Sequence, residues 1–249
     1  MPRAIVMAGG EGARLRPYTA VLPKSLMPLG DRPVLDIVIR QLRAAAFDRV
    51  TIATGYLAGL IEAFFGDGRN YGVPIDYFRE QEPLGTVGAL ALLGDLEEPF
   101  LVMNSDVLTD MDYAAMLDHH IASGAIVTVA ATRRHVNISL GVMEFDDASA
   151  PERVTGYVEK PTISHEVSMG VYCFHPRVVD HIEAGVRLDF PDLILRLLDA
   201  GERVEAWRPE AYWLDLGRHD DYERAAQEFE SVRHRLLPGV EPARAPDQP

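Results

Sequence analysis

Short apolar runs alternate with amphipathic segments along the first half of the chain. Residues 4–8 form a continuous apolar run that stops at glycines, a pattern typical of a buried parallel strand. Residues 34–46 carry apolar side chains at helical spacing. The alternation predicts an α/β fold with a doubly wound, mostly parallel sheet. The predicted elements are strands at 4–8, 49–53, 74–79, 100–103 and 125–132, and helices at 34–46, 57–65, 87–93 and 113–123.

The pattern changes after residue 140. Strand-like runs at 141–145, 153–159 and 168–174 follow one another with little helix between them, which predicts antiparallel strands added to a mixed sheet. Further elements are predicted as helices at 176–182, 192–200 and 220–233 and a strand at 204–207. From residue 237 the chain is rich in Pro and Ala without periodicity. We therefore expect one domain, 1–236, and a flexible tail, 237–249.

The composition is that of a globular protein with a strongly acidic balance. The 249 residues include 24 Lys and Arg against 38 Asp and Glu, a formal net charge of −14. Such a surface repels nucleic acid and anionic lipid, so we expect neither nucleic acid nor membrane as a partner. An anionic substrate would need a locally basic pocket. The single cysteine, Cys173, lies in an apolar run and fits a reducing, cytoplasmic location.

A glycine-rich loop follows the first predicted strand. Gly9, Gly10 and Gly12 let the backbone approach a ligand closely and turn N–H groups toward an anion. Arg14 adds a planar fork of donors suited to phosphate oxygens, and Lys24 adds a point charge on a segment stiffened by proline. Together these residues predict a phosphate pocket in an acidic protein.

Two commoner phosphate motifs do not fit this loop. The dinucleotide fingerprint requires a third glycine where Leu15 stands, and the P-loop requires Gly where Pro23 precedes Lys24. The remaining alternative is a tight turn with Arg and Lys on its surface.

Two aspartates are candidate metal ligands. Asp106 follows a buried strand, and ligands of open α/β sheets bind beyond the carboxyl ends of such strands. Asp215 lies in an aromatic-flanked segment before Gly217. Magnesium prefers few carboxylates together with substrate phosphates. Each aspartate could instead cap a following helix.

The loop resembles the signature of the sugar-1-phosphate nucleotidyltransferases, the enzymes that make nucleotide sugars. That signature is G-G-x-G-T-R-L-x-P-x-T followed by P-K. Here residues 9–19 read Gly-Gly-Glu-Gly-Ala-Arg-Leu-Arg-Pro-Tyr-Thr, with Pro23 and Lys24 after them. The chain departs from the signature at Ala13, where the family usually has Thr. The resemblance extends to about residue 230 and implies a Rossmann-like nucleotidyltransferase fold.

The resemblance also implies roles for individual residues. The catalytic set would be Arg14, Lys24, Asp106 and Lys160, with one Mg²⁺ between Asp106 and Asp215. Nucleotide contacts would come from Ala8, Gly9, Gly10, Gly12, Ala13, Arg14, Lys24, Gln81, Pro83, Gly85 and Thr86. Sugar-phosphate contacts would come from Gly141, Glu159, Lys160 and Gly170. Many relatives have Asn-Ala-Gly where this chain has Ser-Met-Gly at 168–170.

Residues 80–88 resemble the base-reading loop of the family, in which Pro and Gly fix a tight turn. Within this loop the segment Pro-Leu-Gly-Thr-Val-Gly at 83–88 looks most like the guanylyltransferase branch, which narrows the choice of substrates. It implies GTP and a mannose-, glucose- or heptose-type sugar 1-phosphate as partners, with Mg²⁺ as cofactor. A uridylyl- or thymidylyltransferase acting on a hexose 1-phosphate is an alternative, and a non-catalytic sensor of nucleotide sugars is another. A glycosyltransferase would use an Asp-x-Asp motif, and Asp110 and Asp112 have that spacing. The sequence leaves a homo-oligomer open.

Overall fold

The computed structural model describes residues 2–146, 152–237 and 239. Its strands are β1 (Arg3–Ala8), β2 (Pro28–Leu29), β3 (Arg32–Pro33), β4 (Arg49–Thr54), β5 (Ile75–Arg79), β6 (Phe100–Asn104), β7 (Val107–Thr109), β8 (Val127–Asn137), β9 (Val142–Phe145), β10 (Val154–Val158), β11 (Thr162–Phe174), β12 (Val204–Trp207) and β13 (Trp213–Asp215). Its α-helices are α1 (Val34–Ala44), α2 (Ala58–Phe65), α3 (Tyr113–Ser123), α4 (Phe190–Asp199) and α5 (His219–Leu236). None of these described helices has both the length and the apolar character needed to cross a membrane.

Seven strands form one central sheet in the order β12-β8-β11-β6-β1-β4-β5. β1 pairs in parallel with β4 and β6, β4 with β5, and β8 with β12, whereas β11 runs antiparallel to β6 and β8. The predicted α/β fold with a mixed, mostly parallel sheet is confirmed. Because β1, β4, β5 and β6 are parallel, their carboxyl ends meet at one edge of the sheet.

Each face of the sheet is covered by helices, as a doubly wound fold requires. Side chains of β1 alternate between the faces, since Ala4 and Val6 lie in one apolar cluster and Ile5 lies in another. The first cluster contains buried residues of α1, α2 and α3, and the second contains Leu193 and Leu197 of α4. The sheet is therefore buried on both faces, which explains the continuous apolar runs in the sequence.

Several predicted elements differ from the structure in type or extent. The helices predicted at 87–93 and 176–182 are 3₁₀ helices, Gly88–Leu92 and Pro176–His181. β8 and β11 extend beyond the predicted strands and pair with each other as far as Asn137 and Thr162. The short strands β2, β3, β7 and β13 were not predicted, because two or three residues carry no readable periodicity.

The last described helix closes the fold against the start of the chain. Phe229 of α5 packs with Leu29 and Val34 in a third apolar cluster. A Cβ at Gly30 would come within 2.7 Å of the Phe229 ring, so this contact needs glycine. Leu237, the first residue of the predicted tail, is buried in the same cluster. Residue 238 and residues 240–249 of that tail lie outside the described residues, so the tail and the domain bounds stay predictions.

A buried amide fixes α5 to the rest of the molecule. The Gln41 side chain of α1 donates to two backbone carbonyls, those of Thr109 and Leu236, each at 2.8 Å. It thereby joins α1, the end of β7 and the end of α5. Both carbonyls would lose this donor if the amide were removed.

Replacement of Gln41 by Leu should destabilise the protein, because two buried acceptors lose their donor. We expect the free energy of unfolding in urea to fall by about 1–3 kcal/mol. The same substitution at Gln227, which is exposed on α5, should change it by less than about 0.5 kcal/mol. Equal unfolding midpoints for the Gln41→Leu variant and the wild type would contradict this role.

Candidate active site

A cleft of about 530 Å³ opens at the edge of the sheet where β1, β5 and β6 end. It therefore lies where the strand order predicts a ligand site. Eleven residues predicted from the sequence line it. They are Ala8, Gly9, Gly10, Gly12, Ala13, Arg14, Lys24, Pro83, Gly85, Thr86 and Asp106.

The glycine loop is held firmly and presents its backbone to the cleft. Gly12 has a left-handed backbone with a φ of 62°, and its carbonyl accepts a 2.8 Å hydrogen bond from the Thr19 hydroxyl. Leu15 is buried beneath the loop. A Cβ at Gly10 would meet no atom within 4 Å, so Gly10 faces open space. A loop fixed in this way, with open space over its backbone, can receive an anion.

Lys24 and Asp106 form an ion pair at the floor of the cleft. Lys24 begins a 3₁₀ helix, Lys24–Leu26, and its ammonium group contacts the Asp106 carboxylate directly. Both side chains are mostly buried, with 16% and 19% of their surfaces exposed. The backbone of Asp106 is also fixed, because its carbonyl accepts a 2.9 Å hydrogen bond from Leu216 N–H. The cation predicted for phosphate and the acid predicted for metal are therefore neighbours.

Asp215 joins this pair through the two-stranded sheet of β7 and β13. Asp215 pairs in register with Val107, the residue after Asp106. Burial is the main cause that raises the pKa of Asp215, the nearby Asp106 carboxylate raises it further, and Lys24 opposes both effects. Gly217 N–H donates to Asp215 Oδ1 at 3.0 Å. The two aspartates, 109 residues apart in the sequence, thus lie close enough to repel each other.

The two aspartates could hold a divalent metal only with help from a substrate. Within the described ranges, no group of three or more His, Cys, Asp and Glu side chains forms a metal site. Two carboxylates that repel each other at the floor of a cleft suit Mg²⁺, which accepts few protein ligands and takes the rest from phosphates or water.

None of the predicted sugar-phosphate residues lines the cleft, although Gly170 lies against Asn104, which does. Lys160 and Glu159 are exposed in the turn after β10, with 3.8 Å between Lys160 Nζ and Glu159 Oε1. Tyr157 donates to Glu159 at 3.0 Å, and its phenol covers Gly141 so closely that a Cβ there would overlap it. Gly170 is buried in β11, near Asn104. Of the predicted nucleotide contacts, only exposed Gln81 is absent from the cleft lining.

Lys160 has an unusual backbone conformation. Its φ of 47° is left-handed, which costs a residue other than glycine on the order of 1 kcal/mol. Such conformations cluster at active sites and ligand clamps, although Ala46 and Leu57 also adopt one and do not line the cleft.

Several residues that line the cleft were not among the predicted contacts, although Glu80 lies in the predicted base-reading loop. They are Met7, Glu11, Ser25, Glu80, Asn104, Ser105, Arg187, Asp189 and Gly217. Asp189 fixes the predicted base-reading loop, since its Oδ1 accepts from Thr86 N–H at 3.1 Å, while Phe190 N–H donates to the Thr86 hydroxyl at 2.6 Å. Gly85 lies against the Leu188 carbonyl. In the sequence, an aspartate just before a helix is typical of an ordinary helix cap. No local signal could therefore have placed Asp189 at the cleft.

The fold and the site define a Rossmann-like α/β protein with a cleft lined by the glycine loop, Arg14, Lys24 and Asp106, and with Asp215 beside it. Residues 3–232 match the family model described as Nucleotidyl transferase. The chain belongs to this family, as the resemblance of its glycine loop predicted.

Two relatives that are named as sugar-1-phosphate nucleotidyltransferases resemble the chain over nearly its whole length. The chain is 30% identical to the UTP–glucose-1-phosphate uridylyltransferase of Synechocystis sp. over 96% of its length, and 32% identical to the mannose-1-phosphate guanylyltransferase of Mycobacterium tuberculosis over 97%. It spans 66% of the length of each of these relatives.

Solved structures agree on the fold. HddC from Yersinia pseudotuberculosis, complexed with GMP-PN, superposes with a TM-score of 0.70 at 21% identity, over 92% of this chain and 100% of that one. A UDP-glucose pyrophosphorylase complexed with UDP-glucose gives 0.66 at 20% identity, over 92% and 98%. At these identities the likeness shows the fold alone.

Replacement of Asp215 by Asn should stabilise the metal-free protein at high pH. A carboxyl whose pKa is raised on folding favours the folded state below its unfolded pKa, and that contribution is lost as the pH rises through the folded pKa. Asn remains neutral and can still accept from Gly217. The melting temperature of the variant in chelator should exceed that of the wild type near pH 8, and the difference should shrink toward about pH 4.

Asp118→Asn, on the exposed face of α3, is the matched control and should show no such pH-dependent gain. An Asp215→Asn variant that melts below the wild type near pH 8 would mean that burial and the Asp106 carboxylate do not destabilise the ionised Asp215 side chain.

Proposed function

We propose that this chain is a sugar-1-phosphate nucleotidyltransferase, which joins a nucleoside triphosphate to a sugar 1-phosphate and releases pyrophosphate. The observation that carries the proposal is one cleft in which the glycine loop and Arg14 face the Lys24–Asp106 pair and Asp215 lies beside it. Membership of the nucleotidyl transferase family and the activities of its relatives support the same reaction.

The reaction needs alignment and charge neutralisation more than it needs a side-chain base. A phosphate oxygen of the sugar 1-phosphate, already ionised at neutral pH, attacks the α-phosphorus. The bond from that phosphorus to the oxygen bridging to the β-phosphate breaks, and pyrophosphate leaves with the electron pair. Most of the acceleration then comes from holding the reactants in line and from preorganised positive charge.

Arg14 is assigned to the leaving pyrophosphate. It is exposed in the cleft, and its guanidinium can form two parallel hydrogen bonds to phosphate oxygens. The backbone of Gly10 faces the same space and can donate to the phosphates. Lys24 is assigned to the triphosphate near the α-phosphate, where it would exchange part of its contact with Asp106 for substrate oxygens.

Asp106 and Asp215 are assigned as the protein ligands of Mg²⁺. Their hard oxygen donors fit this cation, and a positive charge between them would relieve the repulsion that raises the pKa of Asp215. When bound, Mg²⁺ supplies positive charge that polarises the α-phosphate.

The use of lysine in this chain supports the phosphate assignments. Of the 24 Lys and Arg residues, only Lys24 and Lys160 are lysines. Every other basic position is arginine, so a compact point charge on a flexible stem stands only at the two positions assigned to phosphate. Lys160 is assigned to the sugar phosphate, and Glu159, Gly141 and Gly170 to the sugar.

The proposed nucleotide is GTP and the proposed sugar is of the mannose, glucose or heptose type. The segment Pro-Leu-Gly-Thr at 83–86 and the mannose-1-phosphate guanylyltransferase relative favour GTP. The Synechocystis relative favours the alternative of a uridylyltransferase acting on glucose 1-phosphate. The single buried Cys173 fits a reducing compartment, so we place the reaction in the cytoplasm.

A pyrophosphate-release assay tests the proposal. Purified protein with Mg²⁺ is mixed with each of GTP, UTP, dTTP and ATP against mannose, glucose, glucosamine and heptose 1-phosphates. We expect release that needs both substrates and is fastest with GTP. Release of nucleoside diphosphate would instead identify a glycosyltransferase, and binding without turnover across the grid would identify a nucleotide-sugar sensor.

Arg14→Ala should lower kcat/KM by roughly a hundredfold or more, because one preorganised electrostatic contact to the leaving group is lost. The control is Arg16→Ala, two residues away, because the Arg16 side chain is exposed, pairs with Glu11 at 3.5 Å and does not itself line the cleft. Near-normal turnover by Arg14→Ala, or an equal loss in both variants, would remove Arg14 from the catalytic set.

Lys160→Ala should raise the KM for sugar 1-phosphate by roughly tenfold or more while the KM for the triphosphate stays nearly constant, because one charged hydrogen bond to a single substrate is lost. Lys160→Arg should restore part of the affinity. A KM change shared equally by both substrates would point to a structural role for Lys160.

Amine-reactive labelling checks both lysine assignments in the wild-type protein. Only two side chains can react, so mass spectrometry resolves them directly. A triphosphate should protect Lys24, and a sugar 1-phosphate should protect Lys160. Protection in the reverse pattern would exchange the two assignments.

A further inference from the structure

Residues 132–146 and 153–167 form a long antiparallel ribbon that leaves the main sheet, and we call them the ribbon. Its near part is the extension of β8 and β11, and its far part is the pair β9 and β10. A 3.0 Å hydrogen bond from Ile138 N–H to the Pro161 carbonyl connects the two parts. β12 pairs with β8, and β6 with β11, only inside the main sheet. Among the described strands, both edges of the ribbon are therefore unpaired.

The ribbon carries many apolar side chains and buries none of them. Every one of its residues is at least partly exposed. Eight large apolar side chains are exposed by 40% or more, namely Val136, Leu140, Met143, Phe145, Val154, Tyr157, Val158 and Ile163. A two-stranded ribbon on its own is at best marginally stable in water, and exposed apolar surface on this scale marks an interaction site. The ribbon therefore needs a cover that the described part of the chain does not supply.

The apolar side chains of the far part are arranged as cross-strand pairs. Met143 lies opposite Tyr157, and Phe145 lies opposite Val154, so the four share one face. Each of them is more than half exposed. Such a face can pack against a second apolar face in the way that two sheets stack.

The charges of the ribbon are balanced in a protein that is otherwise strongly acidic. The ribbon has four basic and four acidic side chains, whereas the whole chain has a formal net charge of −14. Two copies of the chain therefore repel each other over most of their surface and least along the ribbon. A basic partner would be drawn to the acidic remainder instead, and a nucleic acid would find no excess of positive charge here. The partner that fits the ribbon is a second copy of this chain.

The charges are also unevenly distributed along the ribbon. The end near the main sheet carries Arg133 and Arg134 against one acid, and the far end carries Glu144 and Asp146 against Arg153. Among the described residues, neither Arg134 nor Glu144 forms an ion pair. If two ribbons run antiparallel about a two-fold axis, the basic end of each lies beside the acidic end of the other. A parallel arrangement would instead bring like charges together at both ends.

We propose that the ribbon is the interface through which two copies of this chain form a symmetric dimer, with their ribbons packed antiparallel. The inference is independent of the proposed function, because it rests on the burial, strand pairing and charge of the ribbon alone. The partner supplies the apolar cover that a two-stranded ribbon lacks.

Sedimentation of the full chain over a range of concentrations tests the dimer. We expect a species of twice the mass of the chain, with a dissociation constant of roughly a micromolar or below. Phe145→Glu should raise that constant by roughly a hundredfold or more, because the two-fold axis places the new charge in the interface twice. Phe145 is 51% exposed in the single chain, so the variant should fold, and circular dichroism checks this.

Leu198→Glu is the matched control. Leu198 lies on α4, outside the ribbon, and is 53% exposed, nearly the same fraction as Phe145. This variant should form the dimer as the wild type does. None of the variants alters Glu159 or Lys160, so a loss of assembly is distinguishable from a loss of substrate binding.

Charge reversals test the antiparallel direction. Arg134→Glu and Glu144→Arg should each weaken the dimer roughly tenfold, because each places like charges together at both ends of the interface. An equimolar mixture of the two variants should recover the wild-type affinity, since an acidic ribbon then lies beside a basic one. A folding defect in either variant would not be rescued by mixing.

A wild-type chain that sediments as a monomer at every concentration would overturn the proposal, and so would a dimer that Phe145→Glu leaves intact. If Phe145→Glu dissociates the dimer but the two charge variants do not rescue each other, the ribbon interface is supported and its antiparallel direction is overturned.

Discussion

The pairing of β13 with β7 is the constraint on which the candidate site depends. These strands are three residues long and form a sheet of their own beside the main one. Their register places Asp215 opposite Val107, and thus next to Asp106 and Lys24. The hydrogen bond from Leu216 N–H to the Asp106 carbonyl continues the contact past the end of the ladder. Without this pairing the second acid would have no fixed position.

The chain keeps carboxylates in the cleft at a cost in stability. Asp215 and Glu80 are both partly buried, and burial raises the pKa of each. A protein optimised only for stability would replace such groups, so their presence marks them as candidates for a functional role. At Asp215, the metal cation of the proposed reaction would offset the cost.

The sequence predicted those parts of the site that are contiguous. The glycines, Arg14 and Lys24 lie within one loop region, and a glycine-rich loop after a buried strand has a local physical meaning. Asp106 follows a buried strand and is therefore placed by the sheet. The sequence could not place Asp189, because its contact with Thr86 depends on how the segment before α4 packs on the base-reading loop. Lys160 was predicted for the site, and it lies outside the cleft lining.

The Lys24–Asp106 ion pair makes the resting cleft nearly neutral at its floor. In the proposed reaction, a nucleotide that arrives complexed with Mg²⁺ still carries net negative charge, and the neutral pair does nothing to offset it. Its approach would therefore be opposed by the acidic surface, whose formal net charge is −14. Added salt would screen that repulsion, so capture of the nucleotide would become faster as the ionic strength rises.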